Sequence, residues 1–428
     1  MNPLDRKFGY FSPAKETMPL HERKAHLNRS LEEAIRYAYK NSSFVKNLMT
    51  RAGVTPEDIK TTEDLVKLPI TRKDDLINIQ KGSPPFGGLL AAPIEKLERI
   101  YLSPGPIFDP HQPDAYARYA IVLYAVGFRE KDIVLNTFSY HMTPAGHMFD
   151  LALKIMKCPV IPSGVGNTDL QIEILRKTRA TGFVGMATFL SHIYEKSEES
   201  GLDPIKEFNL KVALAGGELG GGPIRDNLEK KYRLMTGDVY GTADLGPVAY
   251  ECLAKTGMHL MGDMVVEIVD PKNGLSVPEG EIGEVVVTPF NKTYPLIRFG
   301  TGDLTQILPG ECPCGRTSLR ISKILGRVGD SIRVRGMLVH KNQLMEIVNS
   351  FPELKGFKLV VTRLKDRDHL LFKVGLQSKN VDQTALSKSL SSKIQSICHI
   401  RVDQIDFESI ESFKEDSSVF LDQRNHNI

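Results

Sequence analysis

The chain has 428 residues and a formal net charge of +3; 41% of its residues are hydrophobic and 25% are charged. At roughly 100–200 residues per domain this length implies two to four units, each able to bury a core. The near-neutral balance, with no long Lys/Arg block, excludes an electrostatically driven nucleic-acid binder.

The opening MNPLDRKFGYF has no apolar stretch of the secretory kind. The run YAIVLYAVGF (119–128) is far short of the about 20 residues that a membrane span requires. A cytoplasmic chain with no membrane partner is therefore expected. Residues 20–50 carry helical periodicity with few breakers. TPEDIK (55–60) and TTEDLVK (61–67) each open with Thr and place acids in the next turn, which predicts two short capped helices. LPITRKDDLINIQ (68–80) predicts another short helix, and AYARYAIVLYAV (115–126) a further one. DIVLNTF (132–138), CPVIPSG (158–164), TGFVGMA (181–187) and LKVALAGGE (210–218) read as strands. Helical segments such as FDLALKIMK and DLQIEILRKTRA lie between them. That alternation predicts α/β units on a mainly parallel sheet.

After about residue 250 the pattern becomes β-rich. MVVEIVD-PKNG-LSVPEGEIGEVVVTPF reads as strand, turn, strand, with Asn-Gly as the turn signal. From Asn342 onward a helix, two strands, a helix and a last strand suggest a separate small module, with a hinge near GRVGDSIRVRG (326–336).

Six stretches carry chemistry. YLSPGPIFDP (101–110) has the outline of an anion-holding loop, with Ser103 and Gly105, yet has three prolines and no lysine. ALAGGELGGGP (213–223) runs a strand into Gly216, Gly217 and Glu218, where a planar ligand can approach the backbone; open α/β sheets bind ligands at such strand ends. In DVYGTADLG (238–246), Tyr240 can stack on a base, while Thr242 and Asp244 suit a phosphate and Mg²⁺, a hard cation that takes oxygen ligands. Asp303 in RFGTGDLTQIL is a candidate for a ribose diol; a plain turn Asp is the alternative. Cys252, His259, Cys312 and Cys314 form two short clusters, holding three of the five cysteines. They are either a closed four-ligand Zn²⁺ site or plain reduced thiols. In ILGRVGDSIRVRG (324–336), Arg327 and Arg335 flank a turn, with Gly336 beside them, and their planar forks suit phosphate.

In their order and spacing these stretches resemble the phenylacetate–CoA ligase family of the adenylate-forming superfamily. The resemblance runs over nearly the whole chain, from AIRYAYKNSSFVKNLMTRAGVTPEDIKTTEDLVKLPITRKDDL through VYGTADLGPVAYEC to ILGRVGDSIRVRG. It implies an α/β fold: a large N-terminal domain (1–326) of mixed and parallel sheets with helices, bearing a β-rich, zinc-carrying part at about 250–326, and a small α+β C-terminal lid (327–428). It implies that ATP and a carboxylic acid give an acyl-adenylate, which coenzyme A then attacks as AMP leaves. By the same resemblance Gly216, Gly217 and Glu218 fall on the adenine side, Tyr240, Gly241 and Thr242 on the next block, Asp303 at the ribose and Arg327 in the hinge block. Cys252, His259, Cys312 and Cys314 match zinc ligands of many members, making the zinc structural.

Four departures are visible. Pro104 and Pro106 remove N–H donors from the phosphate loop. The hydroxyl and Glu of the tyrosine block have become Ala243 and Asp244, and the hinge acid has become Gly329, with Asp330 kept. Near the C-terminus FKEDSSVFLDQR places Asp416 where the family's lysine is expected, leaving Lys414 as the nearby cation; an anion beside phosphate reverses the electrostatic sense. His141, in a region that helps to form the family's acyl pocket, is a candidate to contact a carboxylate or phosphate. The expected function is an AMP-forming ligase of an aryl or small organic acid. The alternative is an altered relative that binds nucleotide or acyl-adenylate, or a ligase with another acceptor. The departures favour retained ATP or AMP binding with weak or absent adenylation. Should the chain oligomerise, a homodimer is the default.

Overall fold

A computed structural model gives the fold. It describes the chain except for residues 1–4, 104–106, 112–115, 219–221, 329–330, 335–336, 365–366, 378–380, 399, 414–418 and 424–428, and except for the side chains at 74, 331, 333, 337, 338, 340, 342, 363, 364 and 367. Gly105, Gly329, Asp330, Arg335, Gly336, Lys414 and Asp416 thus lie outside the described residues. The chain divides into two compact units: Met1–Thr301 with Gln306–Ile324, and Gly302–Thr305 with Leu325–Ile428.

In the larger unit, the periodic stretch 20–50 becomes two helices, Leu20–Asn41 and Ser43–Arg51. They break at Ser42, whose hydroxyl accepts the Val45 N–H and caps the second. The two Thr-led segments tighten into 3₁₀ turns, Pro56–Asp58 and Thr62–Lys67, rather than α-helices. Each is closed by a reciprocal box in which Asp58 or Asp64 returns to the backbone of Thr55 or Thr61. The boxes satisfy donors, but Leu68 and Pro69 follow too soon for further turns. Helix Lys73–Gly82 comes next.

The four short apolar runs supply four strands of a five-stranded, all-parallel sheet. Its spatial order is Val160–Pro162, Val134–Asn136, Gly182–Gly185, Val212–Ala215, Met235–Gly237. Gly182–Gly185 and Val212–Ala215 are buried throughout, as strands covered on both faces must be. Helix Tyr116–Val126, with seven of its eleven residues buried, packs against Pro144–Ile155; Tyr119 meets Phe149 edge-on at 5.0 Å. Leu123, wholly enclosed in this core, would cost about 2–5 kcal/mol if cut to Ala.

Two larger sheets and a two-stranded hairpin, Arg99–Ser103 with Ile107–His111, are also described in this unit. In one, Met264–Val269 pairs antiparallel with Gly283–Pro289. The Asn273-Gly274 signal does make a turn, with the Gly274 N–H donating to the Asp270 carbonyl. It closes only an isolated bridge, Val269↔Ser276, so the link to the next strand is longer than a tight hairpin. In the other, Val239–Thr242, Gly246–Glu251 and Met258–Leu260 run antiparallel. The smaller unit has its own core, of Leu344, Leu359, Phe372, Leu390 and Ile394 among others. Its sheet follows the order Gln404–Ser409, Arg367–Leu376, Leu354–Leu364, Phe420–Asp422. Among the described residues no helix is long and apolar enough to cross a membrane.

Candidate active site and metal cluster

All strands of the central sheet are parallel, so their carboxyl ends share one edge, where backbone groups are left open. Gly216 and Gly217 stand there at the end of Val212–Ala215. A Cβ on Gly216 would come 2.2 Å from Asp238 Oδ1 and 2.9 Å from the Val239 nitrogen, so only glycine fits. Gly217 has φ +84°, the left-handed region, and faces Phe138 at 3.7 Å from where a Cβ would be. Phe138 stacks on Phe149 at 5.5 Å, which in turn meets Tyr119. An aromatic wall therefore adjoins the glycine edge.

Glu218 is already engaged. Its carboxylate accepts the Thr188 N–H (2.8 Å) and the Thr188 hydroxyl (2.7 Å), covering the start of helix Ala187–Glu199. Tyr240 is buried, and its hydroxyl donates to Thr301 Oγ1 at 3.1 Å. Gly241 and Thr242 lie in the strand Val239–Thr242, and Thr242 Oγ1 accepts the Leu245 N–H. His141 is exposed in the 136–150 region. Its neighbour His147 is the ring that packs inward, 5.1 Å from Tyr140 and 5.9 Å from Tyr101, with Nε2 3.2 Å from the Tyr140 carbonyl.

The stretch 101–110 differs from the loop that its composition suggests. Arg99–Ser103 and Ile107–His111 are paired antiparallel strands, Ser103 opposite Ile107 and Tyr101 opposite Asp109. Pro110 sits in the second strand, where its missing N–H is tolerated on a two-stranded edge. Gln80, at the far end of helix Lys73–Gly82, clamps this hairpin: its amide donates to the Phe108 carbonyl and accepts the Phe108 N–H, both at 2.8 Å. The first residue of the same helix, Lys73, reaches Asp244 Oδ2 at 2.9 Å. One helix thus fixes the hairpin and Asp244 together.

The result is a carboxyl pair that sequence reasoning missed. Asp109 is 2% exposed, the Asp244 side chain is fully enclosed, and the two carboxyls adjoin each other beside Ser103. Burial, then the Asp244 charge, push the Asp109 carboxyl up to about 8. Neither Asp109 oxygen has a hydrogen-bond partner of good geometry, nor does Asp244 Oδ1. Lys73 could have been noticed as the Lys of LPITRKDDL; Asp109 could not, because its burial depends on the hairpin.

In the smaller unit, Asp303 and Arg327 are paired across an antiparallel ladder, and Arg327 Nε donates to Asp303 Oδ1 at 3.0 Å. The ribose and hinge candidates are therefore brought together with each other.

The four metal candidates also converge. Cys252 follows Gly246–Glu251, His259 sits in Met258–Leu260, and the antiparallel register sets Tyr250 opposite His259. Cys312 and Cys314 arrive from the loop after Ile307–Leu308. Their ligand atoms all lie within 4.8 Å of one another, with Cys252 Sγ to Cys312 Sγ at 3.6 Å and Cys314 Sγ to His259 Nε2 at 3.3 Å. Tetrahedral Zn–S bonds of about 2.3 Å require an S–S edge of about 3.8 Å, so the donor set fits zinc. Ser318 Oγ lies 3.3 Å from His259 Nδ1 and fixes the ring with Nε2 toward the thiols. The Arg316 N–H points at Cys314 Sγ, and the Arg316 side chain makes a buried ion pair with Glu16 at 2.7 Å.

This architecture is that of an adenylate-forming ligase. A 2-hydroxyisobutyryl-CoA ligase solved in an open conformation with 2-HIB-AMP and CoA superimposes with a TM-score of 0.88 at 24% identity, covering 96% of this chain and 94% of that one. The same ligase in its postadenylation state with 2-HIB-AMP gives 0.75 at 25% identity, covering 97% and 92%. No family model matches the sequence. Among curated proteins, the phenylacetate-coenzyme A ligase of Aromatoleum evansii is 31% identical over 85% of this chain and 86% of its own length. That of Escherichia coli K12 is 30% identical over 86% of each. The chain belongs to the phenylacetate–CoA ligase family.

Proposed function

We propose that this chain is an AMP-forming ligase that activates an aryl or small organic carboxylic acid with ATP and passes the acyl group to coenzyme A. The observation that carries the reading is the 31% identity, over 85% of the chain, with a phenylacetate-coenzyme A ligase. The glycine edge at Gly216 and Gly217 supports it by leaving backbone open to a planar base. The Phe138, Phe149 and Tyr119 rings support an aryl or compact acid, whose apolar part they would cover.

In the first half-reaction a carboxylate oxygen attacks the α-phosphorus, and the bond to the β-bridging oxygen breaks to release pyrophosphate. In the second, the CoA sulfur attacks the acyl carbon and AMP leaves. This chain's part is to position the two oxygens in line and to neutralise growing charge. Lys73 is a cation already held beside Asp244. Tyr240, anchored by Thr301, offers a rigid ring for the base. Asp303 and Arg327 are the proposed ribose and hinge pair, in a smaller unit that would act as the lid. Mg²⁺ bound at Asp244 would supply charge neutralisation to phosphate. Zn²⁺ held by Cys252, His259, Cys312 and Cys314 would be structural, because four protein ligands leave no open position.

A carboxylate-dependent pyrophosphate-exchange assay over a panel of acids, followed by CoA-dependent thioester formation, tests the reading. Exchange with one aryl or short-chain acid is expected; none with any acid would overturn it. A second reading, a relative that binds nucleotide without adenylating, draws on Pro104 and Pro106, which take N–H donors out of the stretch 101–110. It would show heat on titration with AMP and no exchange.

A further inference from the structure

A cavity of about 130 Å³ lies between the first helices, helix Tyr116–Val126 and the segment that follows Met258–Leu260. Its wall takes in no residue of the glycine edge, the Asp109–Asp244 pair or the four metal candidates. Met18, Ile121, Leu260 and Met261 make much of it apolar, and charged side chains join them. Both acids on the wall are already matched. Glu16 is held by Arg316 and by the Ser12 N–H, each at 2.7 Å, and Asp263 is paired with Arg118 at 3.0 Å. Arg23 is not matched. It is 8% exposed, and no carboxylate is paired with it among the described residues. Its Nη2 donates to the Lys15 carbonyl and the Thr317 hydroxyl, both at 2.9 Å. Its Nε is enclosed with no acceptor, and Nη1 has none among the described residues. Nη1 faces Gly262, where a Cβ would come within 3.3 Å of it. Gly262 is part of the wall, so its missing side chain leaves Nη1 open to the cavity. A cation shut away from water with only neutral acceptors is costly, and a charge-assisted bond to an anion removes that cost. Lys15, exposed on the same wall, adds a second cation with no acid partner among the described residues.

We propose that this cavity binds a compact organic monocarboxylate, with the carboxylate on Arg23 Nη1 and the apolar body against Met18, Ile121 and Met261. Size sets the limit. A cavity of about 150 Å³ holds one benzene ring, so a small aryl or short branched acid fits here and a nucleotide does not. An inorganic anion would match the charge but leave the apolar wall uncovered. Water would supply neither charge nor apolar cover. This is the chemical class of the acid in the proposed reaction, yet the site stands on Arg23 and its cavity and not on that reading.

The test titrates the full chain, free of nucleotide, with para-fluorobenzoate and follows the ligand by fluorine nuclear magnetic resonance. Arg23→Gln removes the charge and keeps a polar side chain. Gly262→Val keeps the charge and fills the space before Nη1. Wild type should bind one equivalent that each variant binds more weakly by on the order of tenfold or more. Far-ultraviolet circular dichroism checks that both variants are folded. Both should keep the pyrophosphate exchange of the wild type, which separates acid bound here from acid bound at the nucleotide edge. Sulfate, an anion without an apolar body, should bind on the order of tenfold more weakly than para-fluorobenzoate. No binding by the wild type overturns the proposal, as does undiminished binding by folded Arg23→Gln and Gly262→Val. Sulfate binding as tightly as para-fluorobenzoate overturns the assignment to an organic acid. Absence of exchange with every acid, beside binding that both variants weaken, sinks the ligase reading and leaves this site standing.

Discussion

Lys73 Nζ and Asp244 Oδ2 lie 2.9 Å apart, joining the first residue of one helix to a turn 171 positions further along the chain. Asp244 is fully enclosed and Lys73 is partly exposed. Breaking a buried pair leaves an uncompensated charge, at about 3–5 kcal/mol when both partners are buried. With one partner in contact with solvent, Lys73→Met should cost about 1–3 kcal/mol, because water screens part of the interaction. If Lys73 also stabilises charge on phosphate, adenylation should fall by about 10²–10³-fold. Chemical denaturation together with the exchange assay separates the two effects. Lys73→Arg should recover the stability more fully than the rate, because its fork directs charge differently. Unchanged stability in Lys73→Met would dismiss the pair as structural.

Asp109 gives a pH signature. Its carboxyl titrates near 8 in the folded chain, raised chiefly by burial and then by Asp244, against about 4 when unfolded. Between those values the folded chain keeps a proton that the unfolded chain has lost. By linkage, this residue makes stability fall as pH rises from about 4 to about 8. Asp109→Asn removes the penalty while keeping the shape. In metal-free buffer, the melting temperature of the variant relative to wild type should therefore be higher at pH 8 than at pH 5. A constant difference across that range would mean that Asp109 is not the neutral acid of the pair.

The zinc proposal predicts one equivalent per chain by elemental analysis; less than half an equivalent refutes it. Metal binding and folding are coupled wherever a site is formed only by the fold. Cys252 and His259 come from one hairpin and Cys312 and Cys314 from a later loop. The ion therefore closes two segments that otherwise meet through Arg320, which donates to the Thr256 and Pro309 carbonyls, and through the pairing of Met258–Leu260 with the strand Arg320–Ile321; Tyr10 and Glu16 tie the loop to the N-terminal segment instead. Cys314→Ser should lose zinc and lower the melting temperature. The effect should be local, because the parallel sheet shares no ligand with the cluster. Tyr10→Phe, which removes only the bond to the Cys314 carbonyl, should keep the metal.

How much of this was legible in sequence depends on what each feature needs. The parallel strands were legible because burial on both faces forces continuous apolar runs, as in VALA at 212–215. The Cys252, His259, Cys312 and Cys314 cluster was legible because cysteines are few and three of the five fall in two short stretches. The hairpin at 101–110 was not. Its prolines signal a turn, and only three residues, 104–106, separate strands that would otherwise read as loop. Asp109 was not singled out, because its surroundings depend on the pairing of the hairpin and on Asp244 and Tyr294, which are 135 and 185 positions away. The Glu218 carboxylate was likewise read toward a ligand, since nothing in ALAGGELGG reveals that Thr188 would claim both oxygens.

That last contact yields a prediction which divides scaffold from ligand. Thr188 is the second residue of helix Ala187–Glu199, whose N-cap, Met186, has no side chain able to accept a hydrogen bond. The first N–H groups of a helix have no intrahelical partner, and they favour negative charge nearby. Glu218 supplies both the acceptor and the charge, from 30 positions away. Glu218→Ala should therefore cost about 1 kcal/mol, the usual value of a lost cap. Glu218→Gln, which keeps an acceptor oxygen but loses the charge, should cost less. Both are read by urea denaturation. If the carboxylate acts only as this cap, AMP affinity measured calorimetrically should be the same in Glu218→Gln as in wild type. A loss of AMP binding in the folded Gln variant would instead assign Glu218 to the nucleotide. The cap would then be how the loop after Gly217 is held ready, with Thr188 giving up its bonds as the base arrives.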